Sequence, residues 1–84
     1  MEHEVVLKNR ESLLVSGVEH IYAYNDTRVE IRTCYGEMVI EGEGLDMNKL
    51  NLEESIIDIR GIINVIYYSK DKRNKESFIK RIFK

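Results

Sequence analysis

The chain has one cysteine, Cys34, and two histidines, His3 and His20. A Cys/His pair is the smallest nucleophile-and-base arrangement these residues could form. Cys34 lies in the run Thr33, Cys34, Tyr35, which reads as strand, and no basic cluster beside it favours the thiolate. It therefore reads as a small strand residue, and the two histidines as surface groups. No Cys-x-x-Cys or His-x-x-x-His spacing occurs, so a structural zinc site has no ligand set. Gly42, Glu43 and Gly44 resemble the start of a phosphate loop, but the third Gly, the Lys and the following helix are missing. Glu37, Glu41, Glu43, Asp46, Glu53 and Glu54 read as the solvated face of a sheet rather than a paired acid and base. No acidic calcium loop of the EF-hand kind is present in the sequence. These residues assign no catalytic group, cofactor or metal ligand, and the chain is expected not to be an enzyme.

Tyr22, Tyr24, Tyr35, Tyr67 and Tyr68 could stack on bases, but among basic residues only Arg28 and Arg32 interleave with them. Sheet packing and interface burial is the simpler role. Residues 1–69 hold 6 Lys+Arg and 13 Asp+Glu, which gives 6 − 13 = −7. Residues 70–84 hold 7 basic and 2 acidic residues, which gives 7 − 2 = +5. An acidic body repels phosphate, so no nucleic-acid partner is expected. A basic end on an acidic body is the pattern of an interaction tail, or of a solubilising end.

With 84 residues, 43% hydrophobic and 33% charged, the chain is long enough for one small domain. It is too apolar for disorder, and it lacks the run of about 18 apolar residues that a membrane-spanning helix requires. The start MEHEVVLKNR lacks the basic and long apolar parts of a signal peptide. With a lone cysteine, this leads us to expect a cytoplasmic location. A chain this short buries only about 60–65% of its unfolded surface, so self-association would add to a thin stability margin.

The elements that must carry these residues read as strands. Residues 4–8 (EVVLK) and 12–15 (SLLV) flank a turn at Asn9, Arg10 and Glu11. Gly17 bends the chain into VEHIYAY, where the slip between Val18 and Ile21 fits a bulge. Asn25 and Asp26 break the chain again. Residues 27–35 alternate, with Val29, Ile31 and Thr33 on one face. A reversal at Tyr35, Gly36 and Glu37 leads to Met38, Val39 and Ile40, pairing as a hairpin. Residues 45–52 are taken as extended, and Glu53, Glu54 and Ser55 as a turn. In the last run Ile57 and Ile59 share a face, Gly61 bends the chain, and Ile63, Val65 and Tyr67 face one way. Ile62, Ile66 and Tyr68 face mostly the other way, which marks a central strand or an interface. Seven or so short strands with regular breaks predict an all-β fold, a small antiparallel β-sandwich or barrel, spanning residues 1–69. The expected core is Val29, Ile31, Ile40, Ile57, Ile59, Ile63 and Val65. A homo-oligomer is expected, with Ile62, Ile66 and Tyr68 at its interface.

Residues 70–84 form a short basic amphipathic C-terminal tail, polar to residue 75 and then ESFIKRIFK. Phe78 with Ile82, and Ile79 with Phe83, fall at i, i+4, and Lys80, Arg81 and Lys84 carry charge around them. Nine residues are fewer than the ~12–15 a free helix needs, so this segment orders only against a partner. That partner is its own sheet, a second copy, another protein or an anionic membrane surface.

The opening HEVVLKNRESLLVSGV, the stretch VEIRTCYGEMVIEGEGLDMNKLNLEES, the close IIDIRGIINVIYYS and the ending FIKRIFK together resemble the YabP/YqfC family of sporulation proteins. The resemblance spans nearly the whole chain and lies in the order of its pieces, not in any catalytic motif. It implies an immunoglobulin-like β-sandwich. It also implies a mother-cell role in assembling the spore envelope, cortex or coat, with other spore envelope proteins as partners. The resulting expectation is a self-associating adaptor or scaffold, tethered to the forespore surface by its tail. A small ligand-binding β-domain and a polymerising coat subunit are the alternatives.

Overall fold

The computed structural model describes residues 2–71, the last of these by its backbone. Six strands follow one another: β1 (Val5–Lys8), β2 (Ser12–Ser16), β3 (Val18–Tyr24), β4 (Arg28–Thr33), β5 (Gly36–Asn51) and β6 (Ile56–Asp71). All pair antiparallel in one sheet of order β1-β2-β6-β5-β4-β3. The all-β, antiparallel expectation holds. The two stacked sheets of an immunoglobulin-like sandwich are the part without support, because hydrogen bonding joins all six strands into one sheet.

The sheet is organised by the long hairpin of β5 and β6, 16 residues each. The near half of β5 pairs with β4 on one side and the far half of β6 on the other. The far half of β5 pairs with the near half of β6, which also carries β2. Register slips at Gly42 and between Glu43 and Asp46 bend the hairpin in the middle. In addition, β3 is tied back to β5 and its turn at both ends. Val18 N–H donates to the Ser55 carbonyl at 3.0 Å, and Met47 N–H donates to the Tyr24 hydroxyl at 3.0 Å. The sheet thereby curls around one apolar interior.

That interior joins Leu13, Val15, Ile57 and Ile59 of one half to Val18, Val29, Ile31, Met38 and Ile40 of the other, with Leu45 and Ile63 near the bend. A flat sheet leaves one face wet, so full burial of residues from both halves requires this curl. Of the expected core, all but Val65 are buried. Val65 is 40% exposed because the slip between Glu41/Val65 and Gly42/Ile63 leaves Asn64 unpaired and reverses the alternation. After it Ile66 packs against the core, and Val65 and Tyr67 point outward.

The turns fall where Asn9, Gly17, Asn25 and Ser55 stand. Asn9 and Arg10 both have positive φ, 53° and 56°. Cys34 lies with Tyr35 in the two-residue turn between β4 and β5, not in a strand as the alternation suggested. Residues 45–51 are extended, as expected. The sheet runs past the expected domain boundary at residue 69: its last pair joins Gly36 and Asp71.

Candidate functional site

Where the chain comes back to its beginning, His3 meets the end of β6. Its Nδ1 donates to the Ser16 carbonyl at 2.7 Å, which leaves Nε2 to accept from the Tyr68 hydroxyl in the neutral ring. The Tyr68 ring stands edge-on at 5.7 Å and Tyr35 lies tilted at 6.0 Å. Both His3 nitrogens are engaged, so His3 is a clasp between the N-terminal segment and β6. Gly17 makes this crossing possible, since a Cβ there would stand 2.7 Å from the Glu2 carbonyl oxygen. His20 packs edge-on to Tyr22 at 5.0 Å on β3. Cys34 is half-buried.

The outer face carries two charge networks. Arg28 pairs with Glu30 at 3.3 Å and with Glu41, and donates to the Tyr67 hydroxyl at 3.5 Å. The Tyr67 bond, then Glu30, raise the Arg28 pKa further above its already high ordinary value. All three partners sit beside Arg28 because β4, β5 and β6 are neighbours in the sheet, and Arg28 stands opposite Glu41 in register. These exposed pairs contribute little to stability singly, about 0–1 kcal/mol. Beneath them Val39 is buried on this face, flanked in register by Glu30 and Tyr67.

On the other half, Arg60 Nε lies 3.3 Å from Asp58 and Asn48 donates to the same carboxylate at 3.2 Å. The Arg60 bond, then the Asn48 bond, hold the Asp58 carboxyl below its ordinary value of 3.8. A carboxyl depressed by folding contributes stability above its unfolded pKa and loses it as pH falls through the folded one. Arg60→Ala should therefore lower the urea midpoint at neutral pH and cost less well below pH 3.8. Equal losses at both pH values would show that Arg60 acts through packing alone.

The loop of Asn9, Arg10 and Glu11 grips the slip in β6. Arg10 Nε donates to the Ile63 carbonyl at 3.2 Å and its Nη2 to Asn64 Oδ1 at 2.8 Å. Sequence reasoning missed this role, because Arg10 and Asn64 are 54 positions apart. Beside the loop is a shallow open groove lined by Lys8, Glu11, Ser12 and Arg60 among others, with charges of both signs.

Of the residues expected at an oligomer interface, Ile62 and Tyr68 are exposed, and Ile66 packs against the core. All three lie on the part of β6 that pairs with β5 alone, since β2 reaches only from Ile56 to Arg60. Phe78, Ile79, Lys80, Arg81, Ile82, Phe83 and Lys84 lie outside the described residues. Among the described residues no group of three His, Cys, Asp or Glu could hold a metal ion, and no helix is long and apolar enough to cross a membrane.

Fold and surface define a small antiparallel β-sheet protein with large apolar and aromatic side chains on its outside. The YabP family model matches residues 1–75, and the chain belongs to that family. It is similar to the spore protein YabP of Bacillus subtilis (strain 168), with 28% identity over 85 residues. That match covers 99% of this chain and 85% of the relative.

Proposed function

We propose that the protein is a non-enzymatic sporulation protein, a self-associating adaptor or scaffold in assembly of the spore envelope, cortex or coat. It works in the mother cell, at the forespore surface, where residues 70–84 hold it against an anionic membrane. The observation that carries this reading is the family match over residues 1–75, together with a relative whose name is that of a spore protein. The exposed Tyr22, Tyr24, Leu50, Leu52, Ile62 and Tyr67 support contact with other proteins, since such side chains favour burial in an interface. The tail adds charge and apolar bulk. Seven Lys and Arg near an anionic surface contribute about 1 kcal/mol each, and four large apolar side chains add to that when buried.

A fluorescent fusion in sporulating cells should collect around the forespore, and a fusion lacking residues 70–84 should spread through the mother cell. Uniform fluorescence of the intact fusion would overturn the reading. In vitro, the intact chain should pellet with anionic vesicles and release with added salt. A Phe78→Glu, Phe83→Glu variant should stay in solution. Equal pelleting of both chains, or of neither, would remove the membrane from the proposal and leave a tail that contacts protein.

A further inference from the structure

The two outermost strands of the sheet differ as edges. A third edge is β6 beyond Arg60, which β2 no longer flanks. Its Gly61 and Ile63 N–H groups donate to the Glu11 and Arg10 carbonyls of the loop. The β3 edge has two register slips and is tied back at both ends, so it offers no straight ladder to another strand. The β1 edge is four residues in unbroken register with β2, without Pro or bulge. Its Val5, Val6 and Leu7 are 37%, 38% and 41% exposed, and Leu14 beside them on β2 is 42% exposed. An open edge with consecutive exposed apolar residues is a template for another strand.

We infer that β1 pairs antiparallel with β1 of a second copy, joining two sheets across a two-fold axis at Val6. The inference rests on the self-association in the proposed function and names its surface. The register follows from the backbone. Ser16 N–H donates to the Glu4 carbonyl, so in an antiparallel ladder Glu4, Val6 and Lys8 turn their polar groups toward β2. Val5 and Leu7 turn theirs outward. Pairing Val5 with Leu7 of the second copy satisfies these groups on both chains and sets Val6 opposite Val6. The same register sets Glu4 opposite Lys8 twice. Both are exposed, and neither has a charged partner among the described residues. The segment EVVLK is therefore self-complementary in charge and in apolar bulk when read against its own reverse. On one face Val5 and Leu7 would meet their counterparts and extend the core. On the other, Val6 would meet its counterpart, with Leu14 beside it on each copy.

The test uses the full chain. Sedimentation at micromolar concentration should give a dimer for the wild type and a monomer for Glu4→Lys and for Lys8→Glu, with circular dichroism unchanged. Mixing the two variants should restore a dimer, because each Lys then faces a Glu. In a Cys34→Ser background, Val6→Cys should crosslink under mild oxidation, since non-bonded pairs lie about 4.5 Å apart at Cα. Leu14→Cys should not, because three strand spacings put its copies roughly 14 Å apart. A monomeric wild type would overturn both this inference and self-association. A dimer insensitive to the charge variants, a mixture that stays monomeric, or equal crosslinking at both positions would overturn the β1 pairing alone.

Discussion

Gly42→Ala should cost this domain more than any other single-methyl addition, about 3 kcal/mol or more. The reason lies at the bend of the long hairpin. A Cβ on Gly42 would overlap the Ile62 carbonyl oxygen, which is backbone and has no rotamer with which to retreat. Across the hairpin Gly61 has φ +129°, and a Cβ there would stand 2.5 Å from the Gly44 carbonyl oxygen. Two glycines thus let two chains pass closer than any side chain permits. Separating them would open the curl that lets one half of the sheet cover the other. A chain of this size has about 4–13 kcal/mol of stability, so the urea midpoint should fall steeply. Gly44→Ala is the comparison. Gly44 has φ +60° but open space around its Cβ position, so it should cost only the left-handed penalty of about 1–2 kcal/mol. If both variants lose the same stability, close approach is not what Gly42 supplies.

Much of this was legible in local pattern. The alternation of Val29, Ile31 and Thr33 gave β4 its inner face, and all three are buried. The breaks at Asn9, Gly17, Asn25 and Ser55 fall where the chain turns. Two things were not legible. Gly42 and Gly44 read as the end of a short strand and Gly61 as a bend, whereas all three lie within two long strands that continue through them. Glycine marks a place where the backbone needs freedom, but what approaches it is set by residues far along the chain. The other was the location of the open edge. The charge symmetry of EVVLK is in the sequence, yet it has meaning only once β1 is known to lie outermost. The last strand was expected at an interface because it is apolar on both faces; β2 flanks it only from Ile56 to Arg60, and Ile62, Val65, Tyr67 and Tyr68 beyond that stretch are exposed.

Ile59→Ala should destabilise the domain by about 2–4 kcal/mol, and Val65→Ala by less than about 0.5 kcal/mol. Simple alternation makes the two residues equivalent, since an even number of positions separates Ile59, Ile63 and Val65. The structure separates them. Ile59 is fully buried, with Leu13 of β2 and Met47 of β5 opposite it in register. Removing its branched end leaves a cavity walled by strands on both sides, which relax little because each is held by its own ladder. Val65 lies just after the unpaired Asn64, opposite Glu41 on the outer face. Its truncation removes contacts that water replaces. Urea unfolding of the two variants therefore reads out the slip. Were Arg10→Ala to release Asn64, strict alternation could return and draw Val65 inward, and Val65→Ala would then cost more in that background than in the wild type. Additive losses for the double variant would mean that the slip is held by the strand pairing itself and not by the grip of Arg10.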